Sequence, residues 1–142
     1  MPQNSDPGSL VKNLPLMQFG ILGSMLIFAI VGWFIGSSKD RALFETISPE
    51  LCAFISAGFF LPFFLLTLHV RQKSANMREP GIALLTFDFI LTAIAEVPVV
   101  FALVHANLFG ITDYFYALTG IGFLVWLYAR RLASEDAERF RG

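Results

Sequence analysis

Four stretches of this chain, residues 16–36, 48–70, 81–105 and 113–129, are dominated by Leu, Ile, Val, Phe, Ala and Gly and are separated by short polar segments. A helix of about 20 apolar residues, rising 1.5 Å per residue, crosses the roughly 30 Å hydrocarbon layer of a bilayer. Hydrocarbon offers backbone amides no partner, so such segments fold as helices that satisfy themselves. The expected fold is all-α, an integral membrane bundle of four transmembrane helices in one domain over residues 1–142. Composition agrees. Hydrophobic residues make up 56% of the chain and charged ones 15%, against about 45–50% and 25% in soluble domains. The sixteen Phe are costly in water and well tolerated in lipid.

Turn and cap residues punctuate the runs. Pro15 suits the first turn of the first span, and Gly36-Ser37-Ser38 ends it. The run is longer than the apolar core of a signal peptide, and its lead holds a single Lys, so cleavage is disfavoured. Residues 1–14 are rich in turn formers and are expected to be a disordered lead. Ser48-Pro49-Glu50 has the order of an N-cap, a first-turn Pro and a first-turn acid. Pro62 is expected to kink the second span. In the fourth, Tyr114 and Tyr116 at one end and Trp126 and Tyr128 at the other fit an aromatic belt, and Arg130 and Arg131 stop the span. Residues 130–142 are expected to be a cytoplasmic tail. Arg131, Glu135 and Arg139 stand there at i,i+4 spacing, on what is read as a solvated helix end.

Charge sets the orientation. Four spans place the N-terminus, the middle loop and the C-terminus on one side. That side carries Lys12, Arg71, Lys73, Arg78, Arg130, Arg131, Arg139 and Arg141, while the other carries Lys39 and Arg41. By the positive-inside rule both termini are expected in the cytoplasm, as in a bacterial inner membrane. The net charge of −1 gives no basic excess for nucleic acid. Cys52, the one cysteine, excludes a disulfide framework and is read as a small packing residue. With His69 and His105 as the only histidines, no metal site and no cofactor are expected, and both are read as polar residues at helix ends. No Ser/His/Asp set with plausible proximity is visible, so an enzyme is the least favoured class.

Small residues mark where helices meet. Gly20 and Ser24, then Gly32 and Gly36, are four apart on the first span, and Gly120 and Gly122 lie on the fourth. Such pairs let backbones approach in lipid. Contact within one bundle is favoured over a seam between copies; the expected partner is the lipid bilayer, and membrane-protein partners or a homo-oligomer stay open.

The chemistry concentrates in the third span, the one with acids in its interior. Asp88, Thr92 and Glu96 follow i, i+4, i+8, a slowly drifting polar stripe. Glu96 falls near mid-membrane. An ionised carboxylate there costs at least about 2.5–3.5 kcal/mol, and no Lys or Arg lies inside the four runs to offset it. The protonated form is therefore expected at neutral pH, and a carboxyl so held is a reversible proton carrier. Pro98 cannot donate to the carbonyl of Ile94, which leaves an acceptor beside Glu96. The opposing reading is that these acids hydrogen-bond to neighbouring helices and fix the bundle.

Arg78-Glu79-Pro80, Ala93-Ile94-Ala95-Glu96 and Phe101-Ala102-Leu103-Val104 together make residues 78–104 resemble the proteolipid, or c subunit, of rotary ATP synthases. The resemblance implies Glu96 as the ion-carrying carboxylate and Arg78 as the polar-loop arginine. The glycine-rich helix of that family has no counterpart, since the second span carries Gly58 and many Phe, and the flanking spans exceed a two-helix proteolipid. Ala93-Ile94-Ala95-Glu96-Val97 also looks like the glutamate segment of small multidrug resistance transporters, although theirs lies in the first span. Two functions follow as expectations. One is ion or proton translocation, with Glu96 exchanging and Asp88 and Thr92 as access path. The other is an accessory or assembly subunit whose acids are structural.

Overall fold

A computed structural model describes residues 7–38, 47–76 and 81–139. They form five helical segments: α1 (Pro7–Ser37), α2 (Pro49–Ala75), α3 (Gly81–Ile94), α4 (Glu96–Phe109) and α5 (Asp113–Arg139). No strand occurs among the described residues. Three stretches are long and apolar enough to cross a membrane: Val11–Ser37, Pro49–Ala75 and Ala83–Phe109. The last joins α3 and α4, which are one helix interrupted at Ala95. The irregularity lies three residues before Pro98, within the turn that loses its amide donor, and the Ala95 amide is shared between the carbonyls of Leu91 and Thr92, both at 3.2 Å. In α5 the uncharged stretch between Asp113 and Arg130 is shorter than the usual length for a span.

Several ends differ from the sequence expectation. α1 starts at Pro7, a residue suited to a first helical turn, so residues 7–14 are helical rather than a disordered lead, and Pro15 lies inside the helix. Ser48 caps α2, its Oγ accepting from the Leu51 amide at 3.2 Å, but the helix runs on past residue 70 to Ala75. Pro62 lies inside α2, which continues through it. α5 continues through Arg139, and its last turns are not a solvated end, because Ala133 and Asp136 are buried. Arg131 Nε meets Glu135 Oε1 at 3.0 Å as its spacing suggests, whereas Arg139 reaches Asp136 and not Glu135.

Three apolar layers hold the helices together and fix their directions. At one end Leu14 of α1, Leu85 of α3 and Ala133 of α5 pack together. In the middle Met25, Phe60, Ala95, Val99, Val125 and Trp126 form the largest cluster. At the other end Ala102 and Ala106 of α4 meet Phe115 and Leu118 of α5. The chain therefore alternates in direction: α1 and α3–α4 run one way, α2 and α5 the other. α3–α4 is the most buried element and α2 the most peripheral.

The glycine faces are used selectively. Gly32 lies against Phe115 and the Leu103 backbone, and Gly36 against Ile111 and Gly110, where a Cβ would meet neighbours at 2.7–3.3 Å. Gly110 itself turns the chain between α4 and α5 at φ 78°. Gly122 faces Val99 and the Ala95 carbonyl. A Cβ on Gly20 or Gly120 would meet nothing within 4 Å. Trp126 departs from the aromatic belt. It is 3% exposed and donates from Nε1 to the Gln18 carbonyl at 2.9 Å, so it joins two helices.

Candidate functional site

The stripe on α3–α4 meets two neighbouring helices: Asp88 bonds to α2, while Thr92 and Glu96 both bond to α1. Asp88, at 0% exposure, receives Arg71 Nε of α2 at 2.5 Å. The other arm of that guanidinium, Nη2, donates to Asp136 Oδ2 of α5, so one buried arginine ties the ends of three helices. Arg139 Nη1 adds a longer contact of 3.7 Å to Asp136. Asp88 Oδ2 is buried and has no partner.

One turn on, Thr92 is fully buried. Its Oγ1 accepts from Gln18 Nε2 of α1 at 3.1 Å and donates to the Asp88 carbonyl at 2.8 Å. Gln18 also presents its backbone carbonyl to Trp126, so the polar contact reaches α5. Glu96 comes next, the central residue of the 27-residue stretch Ala83–Phe109 and so about 20 Å from either end. It is half-buried. Its Oε1 lies 2.5 Å from Ser24 Oγ of α1, and the same hydroxyl lies 2.9 Å from the Ile21 carbonyl. Ser24 has one hydrogen for two acceptors. When Glu96 is ionised the hydroxyl donates to it. When Glu96 is protonated the carboxyl donates to Ser24, whose hydrogen turns to Ile21. The contact survives both states.

Asp88, unlike Glu96, is paired with a described cation. Because α2 extends past residue 70, Arg71 is carried beside it. Among the described residues no ion pair involves Glu96, so the two acids have different surroundings. Thr92 does not bridge them: its oxygen is occupied by Gln18 and its proton by a backbone carbonyl. Asp88 and Thr92 therefore form no continuous side-chain path to Glu96. Arg78 lies outside the described residues.

Sequence reading missed Gln18, Arg71 and Asp136. Gln18 carried a usable signal, as the one amide side chain in an otherwise apolar run. Arg71 and Asp136 looked like ordinary residues beyond the ends of spans. His105 also differs from a polar helix end. It is wholly buried, with Nε2 2.8 Å from Thr112 Oγ1, Nδ1 without a partner, and its ring beside Phe109 and Tyr114. His69 is exposed, and Cys52 is half-buried and free. Among the described residues no three His, Cys, Asp or Glu converge as a metal site would require.

No family model, curated protein or solved structure matches this chain.

Proposed function

We propose that the chain is a four-span protein of a bacterial inner membrane, with both termini in the cytoplasm, and that Glu96 exchanges a proton or small cation within the bilayer. The observation that carries this reading is the contrast between two acids on one helix. Asp88 is held by Arg71, as a structural acid is. Glu96 sits at mid-span with Ser24 and no described cation. A carboxylate left so is expensive in hydrocarbon unless it gains and loses a proton or binds a cation. The half-buried side chain and the two-state Ser24 contact suit exchange. The resemblance of residues 78–104 to the proteolipid subunit and the likeness to small multidrug resistance transporters both support a lone membrane glutamate in this role.

The alternating helix directions support the four-span topology. They gather Lys12, Arg71, Lys73, Arg130, Arg131 and Arg139 toward one end of the bundle, which the positive-inside rule assigns to the cytoplasm. Reporter fusions test it. A fusion after residue 142 is expected to report the cytoplasm, and one inserted between residues 39 and 46 the opposite side. A C-terminal fusion reporting the far side refutes the topology.

Flux in sealed vesicles tests the exchange. Proton and sodium flux are both measured, and Glu96→Gln is expected to abolish whichever is observed while Asp88→Asn spares it in protein that still folds. Equal flux from Glu96→Gln and the unchanged chain removes the proposal. An accessory-subunit reading is favoured by one feature, the outward face of α2, where Phe54, Phe59 and Phe63 are 79%, 62% and 58% exposed. Co-purification of a stoichiometric membrane partner in mild detergent, with no flux, is its signature.

A further inference from the structure

A groove opens between α2 and α5 at the end of the bundle away from Arg71. Glu50, Ala53 and Ala57 of α2 face Tyr114, Ala117 and Ile121 of α5 across a cavity of about 340 Å³. It shares Ala57, Leu118 and Ile121 with a second cavity of about 90 Å³, whose floor is Phe60, Leu61 and Pro98. Alanines on both walls leave the width. The walls are otherwise apolar.

Its length and polarity are those of one lipid chain. From Glu50 in the groove to Leu61 in the second cavity, the two together follow α2 for 11 residues, about 16 Å at 1.5 Å per residue. Half of the hydrocarbon layer is about 15 Å. Groove and second cavity together thus match the depth of a single leaflet. Among the described residues the charge at the groove's mouth is negative. Glu50 is exposed in the first turn of α2, and Asp113, also exposed, opens α5 beside Tyr114. No described cation pairs with either acid. A helix N-terminus accounts for an acid at each position, but not for the apolar groove beneath them.

We propose that this groove binds one phospholipid with a primary-amine headgroup, its ammonium on Glu50 and one acyl chain between α2 and α5. A primary ammonium donates N–H hydrogen bonds to a carboxylate, which a trimethylated headgroup cannot, and an anionic headgroup is repelled by the two acids. The site is independent of the role of Glu96.

The test reconstitutes the full chain in bilayers of phosphatidylcholine and phosphatidylglycerol with a minor share of phosphatidylethanolamine. The protein is extracted in mild detergent, and retained lipid is counted by native mass spectrometry. Phosphatidylethanolamine is expected to be enriched about fivefold over its share of the bilayer, the worth of one exposed charged pair. Glu50→Gln is expected to remove the enrichment while lipid is still retained. Ala57→Phe, which fills the groove, is expected to lower retained lipid altogether, with Ala117→Leu as a second filling variant should the first not fold. Retention in proportion to the bilayer, enrichment of phosphatidylglycerol, unchanged enrichment in Glu50→Gln, or a dimer that carries no lipid each overturns the proposal.

Discussion

Removing Arg71 tests whether the buried ion cluster holds the bundle. In Arg71→Leu the carboxylates of Asp88 and Asp136 keep their positions at 0% and 3% side-chain exposure and lose their shared cation. Stripping one partner from a buried pair costs about 3–5 kcal/mol, because the remaining charge stays desolvated. Two carboxylates are left here, with Arg139 at 3.7 Å from one of them, so the upper half of that range is expected. The exposed pair Arg131–Glu135, at 79% and 51%, is the internal control. Arg131→Ala should cost no more than about 0.5 kcal/mol. Unfolding in mild detergent, followed by circular dichroism, measures both. Neutralising the cluster as a whole, with Arg71→Met, Asp88→Asn and Asp136→Asn together, should recover more than half of the Arg71→Leu loss, since no uncompensated charge remains. A loss below about 1 kcal/mol for Arg71→Leu, or no recovery in the triple variant, refutes the reasoning.

Two further perturbations follow from packing. A Cβ on Gly122 would stand 2.5 Å from Val99 Cγ2 and 2.8 Å from the Ala95 carbonyl, so Gly122→Ala is expected to destabilise by about 1–3 kcal/mol. Gly120→Ala meets nothing within 4 Å and is expected to be neutral or to stabilise by up to about 1 kcal/mol in the same unfolding assay. Trp126→Phe leaves a smaller aromatic ring and removes the bond to the Gln18 carbonyl, with an expected cost of at least about 1 kcal/mol, while Trp33→Phe, at 47% exposure, should change little.

Hydropathy made the helices legible, because length and apolarity decide whether a segment can satisfy itself in lipid. The ends were less so. The arginine, lysine and serine residues after residue 70 read as a loop, yet nothing there breaks a helix until Asn76, and the extension carries Arg71 to Asp88. In the tail, the i,i+4 rule saw Arg131 and Glu135 but not that Asp136, one residue on, turns inward. The stripe of Asp88, Thr92 and Glu96 was visible from spacing alone. Its partners were not, because Arg71, Gln18 and Ser24 lie 17, 74 and 72 residues away in sequence and no periodicity links them.

Those partners also explain why this bundle has one arrangement. Lipid tails are as apolar as Leu, so burial of Leu and Phe does little to choose between helix orders or rotations. Directional bonds can choose. Asp88 requires α2 and, through Arg71, α5. Thr92 requires Gln18 on α1, which holds Trp126 on α5. Glu96 requires Ser24 two turns further along α1. Gln18 and Ser24 are six residues apart and Thr92 and Glu96 four, so the two contacts together fix both the rise and the rotation of α1 against α3–α4. A structural acid would complete such a set with a cation, as Asp88 does. Glu96 positions α1 through a hydroxyl that can donate to the carboxylate or accept from the carboxyl, so the contact that sets the register is compatible with the exchange proposed above.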